Sequence, residues 1–141
     1  MIVADTSLLS VLLRHKRTGL VTTPHADVFR QMVTRGVPPG VPGIVVQEIL
    51  SGVKTDAQFA ELGNALRRFP LLLARTSDHL FAAGLFNTCK RHGSATLVDC
   101  LIAAQTIANG ARLWTLDQDF ARIARHSELV LFTPENVSQN P

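Results

Sequence analysis

The chain opens with MIVADTSLL over residues 1–9. An unbroken apolar run ends in Asp5, and hydroxyls follow at Thr6 and Ser7. A run with no polar alternation reads as a strand covered on both faces, the usual state of strands in a parallel sheet. Thr6 to Leu13 then reads as a short helix. The same order of strand, acid and helix recurs in ARLWTLDQDF, residues 111–120. There the strand spans 112–116, Asp117 follows, and a helix runs from Gln118 to His126.

The stretch between repeats the alternation. Further strands are expected around Val41, over LLLA at 71–74 and over LVLF at 129–132. Helices are expected over Ala26–Arg35 and Ile44–Ser51, from Thr55 or Asp56 to Phe69, and from Ser77 or Asp78 to about His92-Gly93. Thr96 caps a further helix from Leu97 to Asn109, with Gly110 as its stop. Residues 14–25 read as a basic, polar loop, and the proline- and glycine-rich 36–43 as a connection. Strands separated by helices imply an α/β fold, a parallel sheet with helices on its faces. Ligands of such sheets bind outside the carboxyl ends of the strands.

The 141 residues fit a single domain spanning 1–141, and a hydrophobic share of 46% suffices for a core. No run of 18 apolar residues is present to span a membrane, and the N-terminus has no basic leader. Cys89 and Cys100, the two cysteines, lack metal-cluster spacing and fit a structural role in a reducing cytoplasm. The net charge of +3 permits a polyanionic partner without requiring one. Four basic clusters, Arg14 to Arg17, Arg67-Arg68, Lys90-Arg91-His92 and Arg122 to His126, fall near expected helix ends. The helix dipole accounts for cations there.

Four acids stand out against apolar surroundings: Asp5, Glu48 in IVVQEIL, Asp99 in TLVDCLIAA, and Asp117. Each has a structural alternative. Asp5 and Asp117 can cap the helices they precede, and Asp99 suits a helix's first turn. Glu48 is harder to place, since it shares a helical face with Val45, Ile49 and Gly52. Asp5 and Asp117 end strands, and Glu48 lies in the helix leaving the second strand. A parallel sheet puts these three at one edge. Asp99 joins them only if the chain doubles back through residues 92–95. Four carboxylates at one place would suit a hard divalent cation.

The motifs DTS, QEIL, LVDCLIAA and TLDQDF, in that order, resemble those of PIN-domain ribonucleases, and specifically VapC-type toxins of toxin–antitoxin pairs. The resemblance runs from Met1 to about Pro134. It implies a parallel sheet ordered 3-2-1-4-5 with helices on both faces. It also implies an acidic quartet of Asp5, Glu48, Asp99 and Asp117, with Thr6 and Thr115 as supporting hydroxyls and Asp119 as a further polar position. The implied chemistry is endonucleolytic cleavage of RNA with Mg²⁺ or Mn²⁺. Asp5 and Asp99 would hold the ion directly, Asp117 would bind directly or through water or serve a second ion, and Glu48 would orient a metal-bound water or act as the base. The implied partners are RNA, a cognate antitoxin and a second copy in a homodimer. For that dimer, Leu8, Leu9, Leu12, Leu80, Phe81 and Phe86 are the candidate contacts.

Rival readings fit less well. A phosphoacceptor receiver domain wants paired acids after the first strand, where Thr6 follows Asp5. A dinucleotide-binding module wants a glycine fingerprint where DTSLLS stands. A haloacid-dehalogenase-like phosphatase wants an Asp at position 7, which is Ser7. A PIN-like module that binds RNA or protein without catalysis is the main alternative, and a DNA-directed nuclease of the same fold is a further one.

Overall fold

The computed structural model describes residues 1–14, 23–93 and 95–134, and of Arg14 only the backbone. In chain order its elements are β1 (Ile2–Ala4), α1 (Thr6–Arg14), α2 (Pro24–Thr34), β2 (Val41–Pro42), α3 (Gly43–Leu50), α4 (Asp56–Leu66), β3 (Leu71–Leu72), α5 (Thr76–Lys90), α6 (Leu97–Ala108), β4 (Arg112–Trp114), α7 (Asp119–Arg125) and β5 (Val130–Leu131). The alternation read from the sequence is present, but the strands are shorter than the apolar runs. LLLA at 71–74 pairs only at its first two residues, and Leu73 is 80% exposed. The loop expected at 14–25 and the cluster Arg14 to Arg17 fall largely outside the described residues.

All strand pairs are parallel. β1 pairs β4, with Val3 opposite Leu113, and β4 pairs β5, with Leu113 opposite Leu131. β2 pairs β3, with Val41 opposite Leu71. The two groups meet at a single bridge between Val3 and Gly40. There Ala4 N–H donates to the Gly40 carbonyl at 2.9 Å, and Gly40 N–H donates to the Ile2 carbonyl at 2.8 Å. The five strands thus follow the order 3-2-1-4-5, reduced at its centre to one bridge. The sequence PPGVP explains the reduction. Pro39 and Pro42 flank the bridge and have no amide hydrogen to extend the ladder.

The core lies between the sheet and the helices. Val3, Ala4, Leu113 and Trp114 are fully buried strand residues, and α6 buries Cys100, Ile102, Ala103, Ala104, Gln105 and Thr106. That helix carries so few polar groups that it reads as an interior element rather than an amphipathic one. Gln105 Nε2 tethers it to the Leu72 carbonyl of β3 at 3.3 Å. On another face, Trp114 Nε1 donates to His25 Nδ1 at 2.9 Å, holding α2 against β4. Leu8 and Leu9 have no exposed surface, so they belong to the core and drop out as dimer contacts. Leu80 is 72% exposed and Phe81 39%.

Two connections position the candidate acids. The turn after α6 places Gly110 at φ 57°, a left-handed conformation that glycine adopts freely, and Arg112 begins β4 two residues later. With so short a link, α6 packs back along the sheet and its first turn comes to the carboxyl edge. Similarly, α3 follows β2 with no intervening residue, so it rises from that same edge.

Candidate active site

Asp5 closes β1 and is only 2% exposed. Three donors converge on its carboxylate. Leu8 N–H donates to Oδ1 at 3.0 Å, Thr115 Oγ1 donates to Oδ2 at 2.6 Å, and Ser7 Oγ stands 2.9 Å from both oxygens. Each hydroxyl has one proton, and each gives it to Asp5. Each hydroxyl oxygen in turn accepts a backbone N–H: Leu116 to Ser7 and Asp117 to Thr115, both at 2.9 Å. The DTS turn after β1 and the TLD turn after β4 are thereby locked together, with Ser7 and Thr115 oxygens 3.2 Å apart. A carboxylate offers about four lone-pair sites, so three donors leave one for another ligand.

Burial raises the Asp5 carboxyl above its ordinary 3.8. The hydrogen bonds from Thr115, Leu8 and Ser7 pull it down without offsetting the burial, and the charge of Asp117 adds a smaller upward push. Like-charge repulsion is thus secondary to desolvation at Asp5. Asp5 is also the one member of the quartet that is buried. Glu48 and Asp117 are exposed and Asp99 is half-buried, so the apolar surroundings read from sequence hold for Asp5 alone.

The other acids are held by their own elements. Asp117 Oδ1 accepts the N–H of Asp119 at 2.9 Å, capping the entry to α7. Asp119 itself pairs with Arg122 at 3.5 Å within α7. Thr6 Oγ1 donates to Glu48 Oε2 at 2.6 Å, which joins the first turn of α1 to α3 and brings Glu48 beside Asp5's neighbour. Asp99 forms a capping box with Thr96: Asp99 N–H donates to Thr96 Oγ1 at 3.0 Å, and Thr96 N–H returns to Asp99 Oδ2 at 3.3 Å. Among the described residues, no three His, Cys, Asp or Glu side chains stand close enough to enclose a metal ion by themselves.

The donor set still fits a hard cation. It is all oxygen, it centres on a buried carboxylate with an unmet charge, and Mg²⁺ takes only one or two carboxylates directly while keeping waters. Ser7, the third residue of the DTS motif, is a site residue that the motif reading leaves without a role. Its signal was the two-residue offset from Asp5, which lets a hydroxyl reach back to the carboxylate at a helix start.

A model of the PIN domain matches residues 2–126. The chain belongs to the PIN-domain family. Over 88 residues it is 36% identical to the VapC ribonuclease Mb1587 of Mycobacterium bovis, a stretch covering 60% of this chain and 66% of that protein. Ribonuclease VapC11 of Mycobacterium tuberculosis matches to the same extent. The match therefore takes in just under two thirds of these relatives' length. Among solved structures, VapBC2 from Rickettsia felis, bound to a DNA fragment from its promoter, is similar with a TM-score of 0.73 and 20% identity, covering 94% of this chain and 98% of that one. VapBC-1 from nontypeable Haemophilus influenzae gives 0.73 and 19%, covering 96% and 99%. At these identities the structures speak for the fold alone, and the PIN fold drawn from the four motifs is borne out.

Proposed function

We propose that this PIN-domain protein is a metal-dependent endoribonuclease, the toxin of a toxin–antitoxin pair, acting in the cytoplasm with residues 1–141 as one unit. The observation that carries the proposal is Asp5: a buried carboxylate at the carboxyl edge, oriented by Ser7, Leu8 and Thr115, with Asp117 close enough to act on its charge. The ribonuclease names of the mycobacterial relatives support RNA as the substrate. The toxin–antitoxin complex from Klebsiella pneumoniae, at a TM-score of 0.65, shares the fold and makes an antitoxin partner a reasonable expectation. A homodimer is retained on the exposed Leu80 and Phe81.

In this reading Mg²⁺ or Mn²⁺ would be held directly by one or two of the carboxylates, Asp5 and Asp99 first, with Asp117 reaching it directly or through water. When bound, the ion supplies polarisation of a phosphate oxygen and a lowered water pKa. Ser7 and Thr115 keep Asp5 ionised and aimed by filling its other lone pairs. Glu48, fixed on one oxygen by Thr6, receives the proton of the attacking water at its other oxygen. Asp119 orders the loop that carries Asp117, through its backbone N–H rather than its carboxylate.

The test is cleavage of a labelled RNA with Mg²⁺ or Mn²⁺, with EDTA, and with Asp5→Asn. Cleavage that needs the ion and is lost in the variant is expected. Full cleavage in EDTA would overturn the metal, and no cleavage under any condition would leave a PIN-like binding module.

A further inference from the structure

The carboxylates cannot hold RNA electrostatically. Asp5, Glu48, Asp99 and Asp117 repel a phosphate backbone, and among the described residues their carboxylates are bonded by the neutral hydroxyls of Thr6, Ser7 and Thr115 and by backbone N–H groups. A bound ion would meet the scissile phosphate alone, so affinity for the flanking strand calls for cations elsewhere. The fold brings together two basic clusters that the sequence separates, Lys90-Arg91-His92 after α5 and Arg122 to His126 in and after α7. The junction is direct. The rings of His92 and His126 stack, with centroids 4.3 Å apart and planes at 12°. Both rings are exposed, as are Lys90, Arg91 and Arg125. Of the acids adjacent in sequence, Asp119 engages Arg122 and Glu128 is exposed.

Helix-end stabilisation explains why cations favour each of these places singly. It does not explain why two helices bring their basic ends together around a pair of exposed aromatic rings. Cations flanking a flat π-surface are the ordinary means of binding single-stranded nucleic acid, with charge tracking the backbone and a ring stacking a base. α7 joins the carboxyl end of β4 to the start of the parallel β5 and so leads away from the carboxylates, which places the stack to meet the flank of a strand rather than its cleaved residue. α7 begins two residues after Asp117, and its seven residues span about 10 Å to the stacked histidines.

We propose that the His92–His126 stack, with Lys90, Arg91 and Arg125, is a platform that binds the flank of a single-stranded RNA whose scissile phosphate lies at Asp5 and Asp117. This rests on the ribonuclease reading above. The platform supplies affinity and register, and the carboxylates supply cleavage.

The experiment measures binding of a short labelled single-stranded RNA to the full chain carrying Asp5→Asn, over a range of salt. Removing two phosphate contacts with Arg91→Ala and Arg125→Ala should lower the slope of log affinity against log salt by about 1.4. His92→Ala with His126→Ala should weaken binding about tenfold or more and leave the slope nearly unchanged, since stacking releases no counterions. Arg67→Ala with Arg68→Ala removes the same charge at the end of α4 and should leave the slope alone. Circular dichroism melts confirm that each variant is folded. Equal slopes for the two arginine pairs would reduce the effect to net charge and overturn the proposal. An unmoved slope at Arg91 and Arg125 would overturn it too, and is the outcome if that face serves an acidic protein instead. Wild-type protein that cleaves RNA while the platform variants bind normally sinks the platform alone. Wild-type protein that neither binds nor cleaves RNA sinks the ribonuclease reading with it.

Discussion

Thr115 Oγ1 donates to Asp5 Oδ2 at 2.6 Å, across 110 positions of sequence. A hydroxyl this close to a carboxylate makes a charge-assisted bond, among the stronger kinds available to a side chain. It is the foremost of the contacts that lower the Asp5 pKa against burial. Thr115→Val keeps the shape and removes the donor. Asp5 should then rise further, and the acid limb of the pH–rate profile for RNA cleavage should move to higher pH. The loss of kcat/KM is expected to be larger in mildly acid than in mildly alkaline buffer, with Thr115→Ser restoring the parent profile. An acid limb that does not move would mean that Thr115 acts by some route other than Asp5.

Asp5→Asn should separate catalysis from stability. The folded-state pKa of Asp5 lies above 3.8 because the site is buried. Between 3.8 and that raised value, the native state keeps a proton that the unfolded chain has released. Stability therefore falls as pH rises through that window, and the penalty is constant above it. Asparagine has no such proton to lose. In EDTA, the Tm of the variant minus that of the parent should increase from acid pH toward neutral. Adding Mg²⁺ should raise the parent's Tm, since a ligand of the native state stabilises it, and leave the variant's nearly unmoved. Equal Mg²⁺ responses would remove Asp5 from the ligand set.

Much of this arrangement is legible in the sequence, and the physical reasons are specific. The apolar run at 1–4 and the stretch RLWTL at 112–116 announce parallel strands, and Asp5 and Asp117 mark where the chain turns away from the sheet. Thr55 and Thr96 cap their helices as expected, accepting the N–H groups of Gln58 and Asp99. The helix after β3 departs from expectation. It starts at Thr76, and Asp78 lies inside it, bonded to the N–H and guanidinium of Arg75. An Asp at the third position accepts the N–H of the capping residue, whereas an Asp at the cap accepts an N–H two or three residues on; both mark a helix start, so composition alone does not fix the register. The bond of Ser7 to Asp5 is local, two residues apart, but its coupling to Leu116 and Thr115 spans more than 100 residues. Local pattern carries no information about such pairings.

Glu48 and Thr6 offer a contrast with Asp5. Their 2.6 Å bond lies in an exposed setting, so it contributes little to folding. Glu48→Gln should change stability by less than about 0.5 kcal/mol, in the range of ordinary surface substitutions. If Glu48 takes a proton from the attacking water, the same variant should lose about 10²–10⁴-fold in kcat. RNA affinity should hold or improve, because one repelling charge is gone. Thr6→Ala should lose part of that rate with the same stability profile. A Glu48→Gln enzyme retaining most of its kcat would show that the base is elsewhere.

His25 should matter to the fold rather than the chemistry. Trp114 is fully buried on β4, and its indole N–H finds an acceptor in His25 Nδ1 at 2.9 Å. α2 contributes no fully buried residue of its own, so it depends on this bond and on the packing of Phe29 against Phe69 and Trp114. His25→Ala leaves a buried donor without a partner, which costs about 1–3 kcal/mol. Because Trp114 is the only tryptophan, its fluorescence reports this contact without interference. The variant should show an altered emission maximum, a lower Tm and faster amide exchange in α2, with exchange in β1 and α6 nearly unchanged below the global transition. His25→Gln, whose carbonyl can accept the indole N–H, should recover most of the stability. Uniformly faster exchange throughout the protein would mean that α2 is part of the global folding unit rather than an element docked through Trp114.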